Sequence, residues 1–128
     1  MSQQQNFNNT TVAPPITGTG QTVNAGTVNL ITLPAGTTPG TYSIEGRAAA
    51  FEPTTPAGAG FQFFGTVRTT GLAATVINPF EIIDNAEVAI DAAKIDVVTV
   101  GNNIIVQATG VLGFTIDWAS EFQYTFVG

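Results

Sequence analysis

After residue 20, no apolar run in this chain goes far before glycine, proline or asparagine interrupts it. TVNLITL (27–33) stops at PAGTTPG, TYSIEGRAAAF (41–51) at EPTTPAGAG, and FQFFGTVRTT (61–70) at Gly71. LAATVI (72–77) meets Pro79, and EIIDNAEVAID (81–91), KIDVVTV (94–100), IIVQAT (104–109), FTIDW (114–118) and EFQYTFV (121–127) follow with equally short breaks. Such lengths and turn residues suit strands joined by tight reversals rather than alternating β and α units, because a parallel crossover needs a longer connection. The pattern predicts an all-β fold, an antiparallel β-sandwich of jelly-roll-like kind over residues 21–128. The stretch IIDNAEVAIDAAKI also carries helical spacing and is expected as a loop holding a strand or a helical turn.

Alternation within the runs assigns their faces. In the 61–70 segment Phe61, Phe63, Gly65 and Val67 fall on one side, and Gln62, Phe64, Thr66 and Arg68 on the other. Toward the C-terminus, steps of two join Phe114, Ile116 and Trp118, then Phe122, Tyr124 and Phe126, into one apolar face. Thr115, Asp117, Glu121, Gln123 and Thr125 take the wet face. Trp118, the sole tryptophan, is therefore expected to close a core rather than to stack on a ligand. Phe64, on the less apolar face beside Arg68, reads equally as an interface aromatic or as a ring half-covered by a loop. Asn102 and Asn103 suit a hairpin turn that needs positive φ.

Residues 1–20, MSQQQNFNNTTVAPPITGTG, are rich in Gln, Asn, Thr, Pro and Gly and would not fold alone. They are expected as an extended arm that becomes ordered by lying across a neighbouring subunit, since twenty extended residues reach on the order of 65 Å. Phe7, Val12, Pro14, Pro15 and Ile16 are its expected anchors. The overlapping sequons at Asn8 and Asn9 are read as chance in an Asn/Thr-rich segment, because MSQQQNFNN has neither the basic nor the apolar part of a signal peptide.

The 128 residues suffice for one domain with a real core, and without cysteine no disulfide staples it. No run approaches a bilayer span, so no membrane association is expected. Three basic residues, Arg47, Arg68 and Lys94, stand against nine acidic ones for a net charge of −6, which leaves no electrostatic footprint for nucleic acid. Only 9% of residues are charged, against about 25% in typical domains. Twenty threonines take up much of that room, as suits pleated strands. A surface so poor in charge is also what faces other subunits.

Absence of histidine and cysteine removes the commonest general base, the thiol nucleophile and most transition-metal ligands. Ser2, Ser43 and Ser120 are the only serines, and none lies in G-x-S-x-G. GTGQTVNAG (18–26) matches neither G-x-G-x-x-G nor a P-loop. Glu81, Asp84, Glu87, Asp91 and Asp96 crowd into sixteen residues and are expected as a solvated acidic loop. Calcium binding and a two-carboxylate glycosidase are the alternatives there, but the spacing is not that of a calcium loop. No cofactor and no enzymatic activity are expected.

The segments "LPAGTTPGTYSIEGRAAAF", "GAGFQFFGTVRTTG", "EIIDNAEVAIDAAKIDVVTVGNNIIVQATG" and "GFTIDWASEFQYTF" together resemble a small β-sandwich domain of tailed-bacteriophage virion proteins, found in capsid decoration (cement) proteins and in fibres. The resemblance spans roughly the last hundred residues. It implies a non-enzymatic structural protein on the capsid surface of a virion, made in the host cytoplasm, assembling as a homotrimer and binding the major capsid protein. The alternative it implies is a tail or head fibre module that recognises host surface glycans, for which Tyr42, Phe64 and the Asn102-Asn103 turn are the candidate contacts.

Overall fold

In the computed structural model, which describes residues 10–128, period-two alternation runs unbroken through three strands of thirteen residues. These are β4 (Gly40–Glu52), β5 (Ala57–Thr69) and β10 (Thr115–Val127), hydrogen-bonded in the order β10-β4-β5. Ala119 and Ser120 join the two expected C-terminal segments into one strand, and the EPTTPAGAG loop shrinks to a turn because Ala57–Gly60 already pair with Ala49–Glu52. The other strands of this seven-stranded sheet are β1 (Thr10–Val12) and β2 (Ile16–Val23), both on β10, and β6 (Ala74–Val76) and β7 (Glu81–Ala86), both on β5. A second sheet has the order β3 (Thr27–Pro34), β9 (Asn103–Thr109), β8 (Lys94–Val100). All pairings are antiparallel, and the two sheets pack face to face as a β-sandwich. The ambiguous segment 82–95 resolves into β7, a 3-10 turn at Val88–Ile90 and the start of β8.

The core between the sheets follows the expected faces. Phe61, Phe63, Val67, Ile116, Trp118, Phe122 and Phe126 are buried, opposite Ile31, Ile95, Val97, Ile104, Val106 and Ala108 of the small sheet. Each such large side chain contributes about 1.5–3 kcal/mol through burial. Bulk alternates across strands: Phe122 and Phe63 flank Gly46 in one cross-strand row, while Trp118 faces Ala50 in another. Large rings thus have small partners, as dense packing requires. Trp118 stacks on Phe61 with ring centroids 5.6 Å apart, and its indole N–H donates to the Thr22 hydroxyl at 2.9 Å. Its expected place in the core is observed.

The division at residue 20 is not observed. Thr10–Val12 pair with Thr125–Val127, and Ile16–Val23 pair with Thr115–Phe122, so residues 10–20 belong to the domain's own sheet. Val12 faces Thr125 and Ile16 faces Phe122, so four residues of advance oppose three on β10. The extra residue is absorbed at Pro14-Pro15, which have no N–H to give to a ladder and are tolerated at a sheet edge as a bulge. Among the expected arm anchors, Val12 is exposed on β1, Pro14 and Pro15 are exposed in the bulge, and Ile16 packs against the core. Phe7 lies outside the described residues. Low complexity misleads here because it reflects only local burial, whereas β10 supplies a ready-made partner for these backbone groups.

The turn after β4 is organised by Glu52. Its carboxylate accepts the Thr54 and Thr55 hydroxyls and their backbone N–H groups, the latter at 3.0 and 2.8 Å. Glu52 is shielded from solvent by its own turn, at the hairpin tip rather than deep in the interior. The two threonine hydroxyls, then the two N–H groups, hold its pKa down to about 2 from 4.5 against the opposing effect of desolvation. A depressed carboxylate pKa stabilises the fold fully above the unfolded value, and that contribution is lost as pH falls through the folded one. The melting-temperature difference between wild type and Glu52→Gln is therefore expected to be constant above about pH 4.5 and to shrink toward pH 2. Parallel melting curves of the two proteins from pH 7 to 2 check it.

Candidate functional site

Antiparallel register turns each outward sheet face into a grid of cross-strand rows. On the small sheet the outer rows are Thr27-Thr109-Lys94, Asn29-Gln107-Asp96, Thr32-Ile105-Val98 and Pro34-Asn103-Val100. Its two charges both sit on the edge strand β8, and the centre is uncharged. Ile105 is buried without joining the core, covered within this outer face. Gln107 Nε2 donates to Asn29 Oδ1 at 3.2 Å. A bulge at Leu30 shifts the register of β3, so Leu30 and Ile31 both turn inward while Asn29 and Thr32 stay out.

On the large sheet, one outer row runs Thr17-Glu121-Arg47-Gln62-Ile83 and the next Gln123-Glu45-Phe64-Glu81. Arg47 Nε lies 3.2 Å from the Glu121 carboxylate, with both side chains substantially exposed. Such a pair contributes little to stability, about 0–1 kcal/mol, so its placement matters more than its energy. The six central side chains of these rows surround an open depression of about 290 Å³ over the Gly46 backbone. A second depression, about 460 Å³, lies on the other side of the Gln123-Glu45-Phe64 row, toward Ser43, Thr66 and Thr125. Phe64 is 48% exposed on the ridge between them.

The other candidate contacts fall away from this surface. Tyr42 is buried, its ring against Tyr124 and Phe126 and its hydroxyl accepting the Gly36 N–H. Asn102 has no positive φ, since Gly101 takes that conformation at +60°. Its side chain instead donates to the Ala35 and Gly36 carbonyls at 2.7 and 3.2 Å and accepts from the Thr69 hydroxyl at 2.6 Å, tying three turns together. Asn103 begins β9 on the small-sheet face. The acidic segment does not converge. Glu81 flanks Phe64, Glu87 accepts the Gly58 N–H at 2.9 Å, Asp96 accepts the Val97 N–H at 3.0 Å, and among the described residues no three acidic side chains gather closely enough to hold a metal ion.

Face alternation in the sequence puts Glu121 and Gln123 on a wet face and Gln62 and Phe64 on the less apolar side of their strand. It does not contain the fact that these strands are both neighbours of β4, which brings Glu45 and Arg47 between them. The outer face of the small sheet was missed for the same reason. No protein family, curated protein or solved structure matches this chain.

Proposed function

We propose that this chain is a structural, non-catalytic component of an assembled particle, a capsid decoration protein that docks on the major capsid protein through the outer face of its small sheet. The observation that supports this reading is the uncharged centre of that face, where threonine, amide and aliphatic side chains surround Ile105. Interface cores are depleted of charge in the same way. Binding only the assembled lattice would stabilise it by mass action, by about 2.7 kcal/mol when the free protein stands at a hundredfold its Kd. Assembly as a trimer, expected from the virion resemblance, would raise avidity by linking contacts that are individually weak.

The test is co-sedimentation of the purified protein with empty heads of a tailed phage, with mass determination of the unbound species. Saturation at a fixed number per capsomer is the expected result, and retention in the supernatant would overturn the reading. Thr32 is exposed beside Ile105, so Thr32→Arg should leave the fold intact while forcing a charge into the contact. At least a tenfold loss of particle affinity is expected, corresponding to about 1.4 kcal/mol. Undiminished binding by this variant would move the contact elsewhere. Deleting residues 1–20 cannot serve as the test, because it removes β1 and most of β2.

A further inference from the structure

We infer that the depression beside Phe64 on the large sheet is a binding site for a neutral oligosaccharide. It lies on the opposite side of the sandwich from the proposed docking face, so the inference does not rest on that reading.

The side chains around the depression carry a mixed set of hydrogen-bonding groups. Glu45 and Glu121 offer carboxylate acceptors, Arg47 offers guanidinium donors beyond the one turned to Glu121, and Gln62 and Gln123 offer both kinds. Adjacent sugar hydroxyls, each donor and acceptor, match such a set, and charged partners make the stronger bonds. Phe64, half-exposed and lining the depression, adds apolar ring surface against which the C–H side of a pyranose can lie. Three strands about 4.8 Å apart and two rows about 7 Å apart give the depression the footprint of a single hexose. Its volume of about 290 Å³ is at the lower end for small-molecule sites. The second depression continues along the strands past Phe64, so a ring can sit on each side of the phenyl group.

Other ligand classes fit less well. Two carboxylates against one guanidinium, in a chain of net charge −6, repel phosphate and acidic sugars. The backbones of β10, β4 and β5 are paired with one another here, so the floor has no free edge for an extended peptide. A purely apolar ligand would desolvate five polar side chains, of which only Arg47 and Glu121 have each other as partners.

The experiment is an amide NMR titration of the full chain with maltotriose, cellotriose and chitotriose, with sialyllactose as the acidic comparison. At least one neutral trisaccharide is expected to shift the amides of residues 45–47, 62–64 and 121–123 with millimolar affinity. Phe64→Ala should weaken that binding about tenfold or more, and Phe64→Trp should preserve it. Phe51→Ala, which removes the other exposed phenylalanine of this face from outside the depression, should leave it unchanged. The inference is overturned if no neutral trisaccharide shifts these amides, if sialyllactose binds as tightly, or if Phe64→Ala binds like wild type while retaining the native spectrum.

Discussion

Gly18→Ala is expected to destabilise this protein by about 3 kcal/mol or more, the upper end of what overpacking costs, and to lower its melting temperature by more than about 10 °C. Gly18 sits where β2, an edge strand of the large sheet, packs against β3 of the small one. A Cβ built there falls 1.8 Å from the Leu30 carbonyl oxygen. That oxygen belongs to backbone at the β3 bulge, so no rotamer change relieves the overlap and the two sheets must separate. Gly60 provides the comparison. It lies in β5 on the outer face, where a Cβ would have nothing within 4 Å, so Gly60→Ala should change stability by a few tenths of a kcal/mol at most, toward stabilisation. Thermal melts of both variants decide it, and a Gly18→Ala protein that melts with wild type would refute this account of the sheet junction.

Trp118→Ala should cost about 3–5 kcal/mol, a large part of the 5–15 kcal/mol that holds a typical domain together. The loss combines the transfer of a large ring, the stacking on Phe61 and the cavity that neighbouring strands cannot close. Thr22→Val isolates a different contribution. It keeps the volume nearly constant but removes the acceptor of the indole N–H, leaving a donor unsatisfied in the interior at a cost of about 1–3 kcal/mol. Urea unfolding followed by the fluorescence of this single tryptophan, or by circular dichroism for Trp118→Ala, should show lower midpoints with unchanged slopes. Equal midpoints for Thr22→Val and wild type would mean that the hydrogen bond contributes nothing to the core.

Two devices inside this chain show where local reading ends. Pro14-Pro15 reads as part of an extended arm reaching for a neighbouring subunit, yet it marks a bulge in an edge of the chain's own sheet whose partner lies over a hundred residues away. Asn102 reads as a turn residue and candidate ligand contact, yet its amide is consumed by carbonyls of the 35–36 turn. In both cases the residue type was informative about backbone needs, while the partner that met those needs was remote in sequence.

From β3 onward the sequence by itself determined most of the strands and their faces, because a side-chain period of two is a property of consecutive residues and needs no knowledge of neighbours, whereas β1 and β2 were legible only through their partner β10. It placed Trp118 in the core and Phe64 on the less apolar face of its strand on that ground alone. Tertiary structure decided which strands adjoin and in what register, since those depend on hydrogen-bond partners and packing between distant segments. Only that register sets Arg47 and Glu45 between Phe64 and Gln123, and only the closure of β2 against β3 makes Gly18 irreplaceable.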